Sequence, residues 1–289
     1  MTSARSTATA AGSAPLRTHA FSADEPASLL VVGAGIKLVD HVTTEARNAI
    51  VAADVVFHST QIPGMKQWLD SLNPSGVDLT QFYAPGRDRW VTYQMMTERV
   101  LRDVAPGVSV CAVFYGHPAV YVTPSHDMIN QVRARGLTAR MLPGISAEDC
   151  LFADLGVDPG VNGWQSYDAT PFLVFHPRFD PSAGLVLWQM DVLGHRDYQP
   201  EHERSNYDVL ARELARVYGP THEVVGYYAA QYPGLDPLIE TMTIAELAGH
   251  DGMSTLYVPP LSQRQADRAM LAELGMVDAR ATQPTAPGS

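Results

Sequence analysis

Two residue types are scarce in this 289-residue chain, which has only two cysteines and only two lysines, Lys37 and Lys66. Cys111 and Cys150 both lie in apolar runs, which predicts small buried side chains rather than a disulfide or a metal pair. Acidic residues outnumber basic ones by 31 to 20, the net charge is −11, and no basic stripe occurs. Nucleic acid is therefore not an expected partner.

Long apolar runs are also lacking. None reaches the roughly 20 residues that a membrane-spanning helix needs. The N-terminus carries Arg5 and Arg17 but not the apolar core of a secretory signal. His195 and His202 do not have the spacing of metal ligands, so no metal is expected. These features predict a cytoplasmic protein without a membrane span.

The chain does contain a repeated alternation of short apolar runs and amphipathic segments, which is typical of α/β proteins. Residues 1–27 are rich in Ala, Ser, Thr and Pro, which predicts a disordered leader. We expect an N-terminal α/β domain over residues 28–156 and a C-terminal α/β domain over residues 157–261. The Gly, Pro and Asn of residues 156–166 indicate the linker between them. Residues 262–289 predict a short helix and a polar tail.

Several element predictions depend on local signals. The apolar run 171–175 predicts a strand. Ser125 predicts the N-cap of a helix, and residues 262–274 have the periodicity of an amphipathic helix. Ser146 and Asp149 have the spacing of a capping box at the start of another helix.

A Gly-x-Gly turn, Gly33 and Gly35, follows the first predicted strand and would let a ligand or another backbone segment approach closely. As a dinucleotide-binding fingerprint it is weak. The third glycine is missing, and no acidic residue stands at the usual distance. NAD is therefore not expected.

Residues 108–155 concentrate polar, Gly-rich loops after two successive predicted strands. The first strand ends at Tyr115-Gly116-His117-Pro118, and the second ends at Pro143-Gly144. In open α/β sheets, ligands bind at the carboxyl ends of the strands. This stretch therefore predicts the binding site, although Tyr115 and His117 could also simply end a strand.

Residues 83–90 form a Gly/Pro loop with two arginines and two aromatic residues. On residue type alone this loop fits an exposed surface with cation–π contacts as well as it fits a functional site.

Three longer segments decide between these alternatives. FYAPGRDRWVTYQM, VFYGHPAVYVTPSH and RMLPGISAEDCLFADL, with a closing STLYVPP, resemble the tetrapyrrole-methylase superfamily and, more closely, the borosin peptide α-N-methyltransferases. The resemblance covers roughly residues 28–261. It implies the two-domain α/β fold of class III S-adenosylmethionine methyltransferases, with the cofactor cleft between the domains. It also implies methylation of backbone amides in a ribosomally made peptide.

The resemblance also implies roles for individual residues. The implied catalytic residues are Arg89, Tyr93, Tyr115 and, as an accessory aromatic, Tyr83. The implied contacts of S-adenosylmethionine are Tyr115, His117, Val120, Ala147, Gln189, Ala229, Ser254 and Thr255. Ala229 departs from the glycine that fungal members of the family have, so its methyl group could narrow the cofactor pocket.

The chemistry explains why arginine and tyrosine would be needed. The lone pair of a peptide nitrogen is delocalised into the carbonyl, so methylation develops negative charge on the oxygen. Arg89 could favour an ionised tyrosine as the base, or could stabilise the amide oxygen directly. Tyr93 lies four residues after Arg89 and shares its face if the helix begins that early.

Residues 262–289 contain no Val/Ile-rich run of the kind that relatives methylate in their own C-terminal extensions. We therefore expect a split system, in which a separate precursor peptide binds in trans. Such a cleft needs enclosure, which relatives achieve by dimerising, so the resemblance implies a homodimer with one peptide per protomer, a heterotetramer with two peptides. Two alternatives remain open at this stage: a methyltransferase acting on a tetrapyrrole or another small ring, and a catalytically idle scaffold that retains S-adenosylmethionine.

Overall fold

The structure of the protein is a computed structural model that describes residues 27–199, 206–250, 252–262 and 266–276. Residues 1–26 and 277–289 lie outside this description, and with them nearly all of the predicted leader and most of the predicted tail. No helix in the described parts of the chain is long and apolar enough to cross a membrane.

Ten strands and ten α-helices alternate along the described residues. The N-terminal half contains β1 (Leu29–Gly33), α1 (Thr44–Ala52), β2 (Val55–Ser59), α2 (Met65–Leu72), β3 (Val77–Asp78), α3 (Arg89–Leu101), β4 (Val110–Phe114), α4 (Thr123–Ala134), β5 (Ala139–Met141) and α5 (Ala147–Leu155). The C-terminal half contains α6 (Pro159–Asn162), β6 (Trp164–Asp168), α7 (Ala169–Phe175), β7 (Gly184–Trp188), α8 (Tyr207–Tyr218), β8 (Glu223–Tyr228), β9 (Leu238–Thr243), α9 (Ile244–Leu247), β10 (Thr255–Val258) and α10 (Arg268–Glu273). Short 3-10 helices lie at Thr80–Phe82 and Met190–Val192.

The N-terminal sheet is wholly parallel, with strand order β3-β2-β4-β1-β5. Its strands alternate between two cores, because successive side chains point to opposite faces. Leu29 and Val31 of β1 pack on the side of α3 and α4, while Val32 packs on the side of α1 and α2. All three side chains are fully buried, and each such burial stabilises the fold by about 1.5–3 kcal/mol.

The C-terminal sheet is mixed, with strand order β6-β7-β10-β8-β9. Only β6 and β7 are parallel, and the other neighbouring pairs are antiparallel. A large apolar core lies between this sheet and α7, α8 and α9, and Tyr207 of α8 is fully buried in it. The predicted α/β fold is confirmed. The two sheets lie on either side of the predicted domain boundary at residue 156.

Some element predictions are confirmed and others are wrong. Ser146 forms the predicted capping box with Asp149 at the start of α5. The predicted strand at 171–175 is helical, because Asp168 accepts a hydrogen bond from the Thr170 amide and caps α7. Ser125 does not cap α4, since it lies inside the helix and its hydroxyl donates to the carbonyl oxygens of Pro118 and Val122.

Three further differences concern boundaries. Residues 164–166, expected to be linker, form strand β6 together with Tyr167 and Asp168, beside β7. Strand β9 was not predicted, because four of its six residues are exposed and its pattern lacks a buried face. The helix expected over residues 262–274 is described only as Arg268–Glu273.

Candidate functional site

A cavity of about 420 Å³ lies between the two halves of the chain, within the size range of small-molecule sites. Its walls come from the loop after β4 and the start of α5 on one side. The other side is formed by the segments after β7 and β8 and by the start of β10. The parallel strands of the N-terminal sheet therefore end at this cavity, as the sequence predicts for the Tyr115–Pro118 loop.

Close backbone contact shapes the floor of the cavity. Gly33 and Gly35, at the end of β1, lie against Gly116, and Gly35 and Gly116 form an isolated antiparallel bridge. A β-carbon added at Gly33 would lie 2.2 Å from the Gly116 carbonyl oxygen and 3.0 Å from Cδ of Pro118. The Gly-x-Gly turn therefore serves the approach of two backbone segments to each other.

All eight predicted cofactor-contacting residues line this cavity. They are Tyr115, His117, Val120, Ala147, Gln189, Ala229, Ser254 and Thr255. Their convergence from five separate segments of the chain is a property of the fold, and their contact with a cofactor stays a prediction. Ala229 is buried in the wall and lines the cavity.

Two lining residues have unusual backbone conformations. Gln189, directly after β7, has a φ of 59°, and Tyr121 has a φ of 55°. Residues other than glycine in this left-handed region cost free energy and are found preferentially at functional sites. The Tyr121 hydroxyl and the Trp188 indole N–H both bond to the Ser166 hydroxyl, at 3.1 and 2.8 Å.

Two of the three predicted catalytic tyrosines lie together in the cavity wall, which we call the tyrosine end of the cavity. Tyr83 and Tyr93 both line the cavity and are close enough for each to shift the pKa of the other. Arg89 is the first residue of α3, because Asp88 caps the helix by accepting a hydrogen bond from the Trp90 amide at 2.7 Å. Arg89 is not part of the cavity lining, but it lies near enough to lower the pKa of both tyrosines.

Burial outweighs this effect of Arg89. Desolvation raises the pKa of Tyr83 and of Tyr93 above the usual value, even with the opposing guanidinium. Burial also raises the pKa of Tyr115 to about 12. All three hydroxyl groups therefore keep their protons at neutral pH and act as hydrogen-bond donors. Of the two roles considered for Arg89, the geometry favours direct stabilisation of a developing anion over formation of a tyrosinate.

Tyr115 belongs to a second polar group across the cavity. Gln231 lies near enough to its hydroxyl to lower the Tyr115 pKa against the effect of burial, and the Gln231 amide donates to the Tyr228 hydroxyl at 3.0 Å. Gln231 and Tyr228 both line the cavity and were not predicted. Both follow or end a strand in the second half of the chain, where no motif marked them.

The charged residues of the lining are acidic. Glu148 and Asp191 are both in the cavity wall, and no Lys or Arg is among the lining residues of the described chain. Glu148 accepts a hydrogen bond from the Trp164 indole. Asp168, at the end of β6, was also missed, because no motif or element was predicted at residues 167–170. Burial raises its pKa, while the Thr170 amide and Arg89 act in the opposite direction.

The composition of the site fits S-adenosylmethionine. Hydroxyl groups of Ser254 and Thr255 and the amide of Gln189 offer partners for a ribose and an amino acid. Val120 and Ala229 give apolar wall. The acidic lining suits a molecule whose sulfur carries a positive charge. Among the described residues, no group of three or more His, Cys, Asp or Glu could hold a metal ion.

Comparison with protein families matches residues 28–248 to the tetrapyrrole (corrin/porphyrin) methylases. Among curated proteins, the methyltransferase/ribosomally synthesized cyclic peptide dendrothelin A precursor of Dendrothele bispora is 38% identical over 262 residues, covering 88% of this chain and 63% of the relative. The corresponding omphalotin A precursor of Omphalotus olearius is 37% identical, covering 87% and 62%. A type III borosin precursor of Anomoporia bombycina is 40% identical, covering 88% and 30%. The chain thus spans less than two thirds of the length of these three relatives.

Solved structures share the fold at low sequence identity. Uroporphyrin-III-C-methyltransferase of Thermus thermophilus superposes with a TM-score of 0.57 at 19% identity, covering 87% of this chain and 98% of the other. A diphthine synthase superposes with a TM-score of 0.55 at 17% identity, covering 82% and 91%.

Proposed function

The chain belongs to the tetrapyrrole (corrin/porphyrin) methylase family, and we propose that it transfers methyl groups from S-adenosylmethionine to backbone amide nitrogens of a peptide. The support for a peptide substrate is the 37–40% identity to proteins described as methyltransferases joined to ribosomally synthesized peptide precursors. The predicted cofactor, S-adenosylmethionine, fits the donors, the apolar wall and the acidic charge of the cavity.

The charge of the cavity lining favours a peptide over a tetrapyrrole as the substrate. The acetate and propionate groups of a biosynthetic tetrapyrrole carry many negative charges, and such a ring needs cationic side chains around it. The lining here has Glu148 and Asp191 and no Lys or Arg among the described lining residues. A peptide backbone without net charge avoids this repulsion.

The residues at the tyrosine end of the cavity match the requirements of amide methylation. An amide nitrogen becomes nucleophilic as electron density moves back from the carbonyl, which leaves negative charge on the oxygen. Neutral Tyr83 and Tyr93 hydroxyl groups can donate hydrogen bonds to that oxygen, and the nearby Arg89 charge, which lowers the pKa of both tyrosines, favours negative charge there. Such preorganised donors are typically worth about 3–4 kcal/mol each in the transition state.

Tyr115 stands on the other side of the reacting amide in this proposal. Its side chain lines the same cavity as the predicted cofactor contacts, Gln231 and Tyr228. Bound S-adenosylmethionine would supply an activated methyl group on a positively charged sulfur; the new N–CH₃ bond forms as the S–CH₃ bond breaks, S-adenosylhomocysteine leaves, and the amide proton passes to the solvent at the cavity mouth. Tyr115 and the cavity walls would position the peptide nitrogen for this transfer, and such positioning can supply ~7–11 kcal/mol.

The mode of substrate delivery stays a prediction from the sequence. We propose that the precursor peptide is a separate chain bound in trans, and that the enzyme is a homodimer carrying two peptides. The apolar mouth of the cavity, which includes Val120, Tyr121 and Tyr228, supports an apolar peptide core.

Mass spectrometry after co-expression with candidate precursor peptides tests the proposal. Additions of 14 Da (one CH₂) located on backbone nitrogens by fragmentation are the expected result. Methylation of a supplied tetrapyrrole and not of any peptide would replace peptide by ring as the substrate. Cofactor binding without methylation of either would identify a scaffold. A ladder of 14-Da additions on the enzyme itself would contradict the trans mode while keeping the chemistry.

A further inference from the structure

A short ribbon of backbone hydrogen bonds joins the two halves of the chain beside the tyrosine end of the cavity. The Tyr198 amide donates to the Arg87 carbonyl oxygen at 2.8 Å, and the Gly86 amide donates to the Tyr198 carbonyl oxygen at 2.9 Å. The Arg89 amide donates to the Arg196 carbonyl oxygen at 3.0 Å. We call residues 86–89 and 196–198 the cross-domain ribbon.

The ribbon connects segments of different origin. Residues 196–198 follow the 3-10 helix after β7 in the C-terminal half, whereas residues 86–89 lead into α3 in the N-terminal half. Asp88 and Asp197 form an isolated antiparallel bridge at its centre. The loop before α3 contains Pro85 and Gly86, and Gly86 has a φ of 75° and open space around it. Within the loop, Arg87 donates to the Phe82 carbonyl oxygen and Asp88 caps α3, so the ribbon adds the link to the C-terminal half.

Tyr198 adds a side-chain contact to these backbone bonds. Its ring packs on the Tyr83 ring with centroids 4.9 Å apart and planes tilted by 40°. The Tyr198 ring thus packs on a tyrosine that lines the cavity together with Tyr93. The nearby Tyr198 hydroxyl also contributes, after burial and other groups, to the raised pKa of Tyr83.

A second side-chain contact in the ribbon is of a different kind. Arg196 and Asp88 form an ion pair at 3.2 Å, but the Arg196 side chain is 86% exposed. Exposed ion pairs are screened by water and salt and contribute little. The aromatic contact is therefore the side-chain contribution that should matter.

From these contacts we infer that Tyr198 is a positioning residue, which holds Tyr83 and the start of α3 so that Tyr83, Arg89 and Tyr93 face one substrate amide. This inference rests on the proposed function, because the cluster matters for catalysis only if it binds a reacting group. Small displacements of catalytic groups cost up to about 100-fold in rate. Tyr198 is accordingly expected to act on turnover and not on cofactor affinity.

The test compares Tyr198→Ala, Tyr198→Phe and, as a matched control within the ribbon, Arg196→Ala. Calorimetry with S-adenosylhomocysteine measures cofactor affinity, and thermal unfolding shows whether each variant is folded. Steady-state kinetics, on a substrate peptide that the wild-type enzyme methylates, gives kcat and KM separately. We expect Tyr198→Ala to lower kcat by about 10-fold or more with cofactor affinity within about three-fold of wild type. Tyr198→Phe keeps the ring and should restore kcat to within about three-fold, and Arg196→Ala should stay near wild type.

A readout independent of methylation is limited trypsin digestion, with cleavage after Arg87 and Arg89 mapped by mass spectrometry. Release of the loop should speed both cleavages in Tyr198→Ala but not in Tyr198→Phe. If Tyr198→Ala keeps the wild-type kcat and the wild-type resistance to trypsin, the inference is wrong. It is also wrong if Tyr198→Ala and Tyr198→Phe lower kcat and speed cleavage to the same extent. If no peptide is methylated by the wild-type protein, the proposed function fails, and the trypsin pattern alone decides whether Tyr198 holds the loop.

Discussion

Tyr83 and Tyr93 lie close enough for each side chain to shift the pKa of the other, although one lies in a loop and the other one turn into α3. Both side chains are partly buried and line the cavity, and Arg89, between them in sequence, lowers the pKa of both. This proximity makes the two hydroxyl groups and the guanidinium one polar group beside the cavity. A change at one of the three residues therefore alters the electrostatic surroundings of the other two.

The first prediction concerns this group. Tyr93→Phe and Arg89→Ala should each lower the rate of methyl transfer by ~100-fold or more, since each removes a donor to the developing oxyanion. S-adenosylhomocysteine affinity, measured by calorimetry, should stay within about three-fold because neither residue is a predicted cofactor contact. Arg102→Ala, an exposed arginine at the other end of α3, is the control. A Tyr93→Phe enzyme with wild-type turnover would show that Tyr93 is only cavity wall.

The second prediction concerns pH. Burial raises the pKa of Tyr83 and Tyr93 and brings that of Tyr115 to about 12, so all three stay protonated up to about pH 10. Single-turnover rates should therefore be flat between about pH 7 and about pH 9.5. A rate that rises with an apparent pKa below 9 in wild type, and no longer rises in Tyr93→Phe, would restore tyrosinate as the base.

The same shifts affect stability at high pH. An unfolded tyrosine ionises near pH 10, whereas these tyrosines bind their protons more tightly when folded. Their contribution to the free energy of unfolding is complete below about pH 10 and is lost as pH rises from there through the higher folded pKa values. Urea unfolding at pH 8 and pH 11 should therefore give a lower midpoint at the higher pH.

The third prediction concerns the wall of the cofactor pocket. Ala229→Val adds two methyl groups to a buried position that lines the cavity. Because extra methyl groups in a packed site force neighbouring groups out of place, this change should weaken S-adenosylhomocysteine binding by about 10-fold or more. Ala153→Val, on the exposed side of α5, should leave binding unchanged. Ala229→Gly removes the methyl group from this position and should bind at least as tightly as wild type. Unchanged affinity in Ala229→Val would remove this position from the cofactor site.

The fourth prediction concerns the cavity floor. Gly33→Ala forces β1 away from the Gly116 carbonyl, because its β-carbon would lie 2.2 Å from that oxygen. Gly107→Ala is the control, since its φ of 78° disfavours alanine by about 1–2 kcal/mol but its surroundings are open. Thermal unfolding should show the larger loss of Tm for Gly33→Ala, together with weaker cofactor binding. Equal losses of Tm in the two variants would mean that the backbone around Gly33 and Gly116 shifts readily to accommodate the added methyl group.

Much of the site was predictable because its residues stand in continuous motifs. Tyr115, His117, Ala147 and Tyr93 lie in the three long segments, and capping at Ser146 follows from local side-chain chemistry. The residues that were missed lack such context. Tyr198 lies in a polar loop, and its ring contacts Tyr83 only because two distant loops pair.

The wrong element predictions have a related cause. The apolar run at 171–175 is compatible with a strand or with a buried helix. It is helical because the Asp168 side chain caps α7. The segment Trp164–Asp168 carries polar side chains, yet its backbone bonds to β7 make it a strand. Four residues of β9 are exposed: Leu238, Ile239, Glu240 and Thr241. Its hydrogen bonds to β8 make this segment a strand, whereas its sequence has no alternation of buried and exposed side chains that would predict one.

The order of strands in the N-terminal sheet has a consequence for synthesis. β1 is made first, but its two neighbours are β4 and β5, with Leu29 opposite Val110 and Ala139. At roughly 5–20 residues per second, β1 leaves the ribosome about 4–16 s before β4 is complete. Throughout that interval a strand of Leu and Val waits without its hydrogen-bonding partners. Chaperone contact during translation should therefore begin at β1 and end once Val110–Phe114 has emerged.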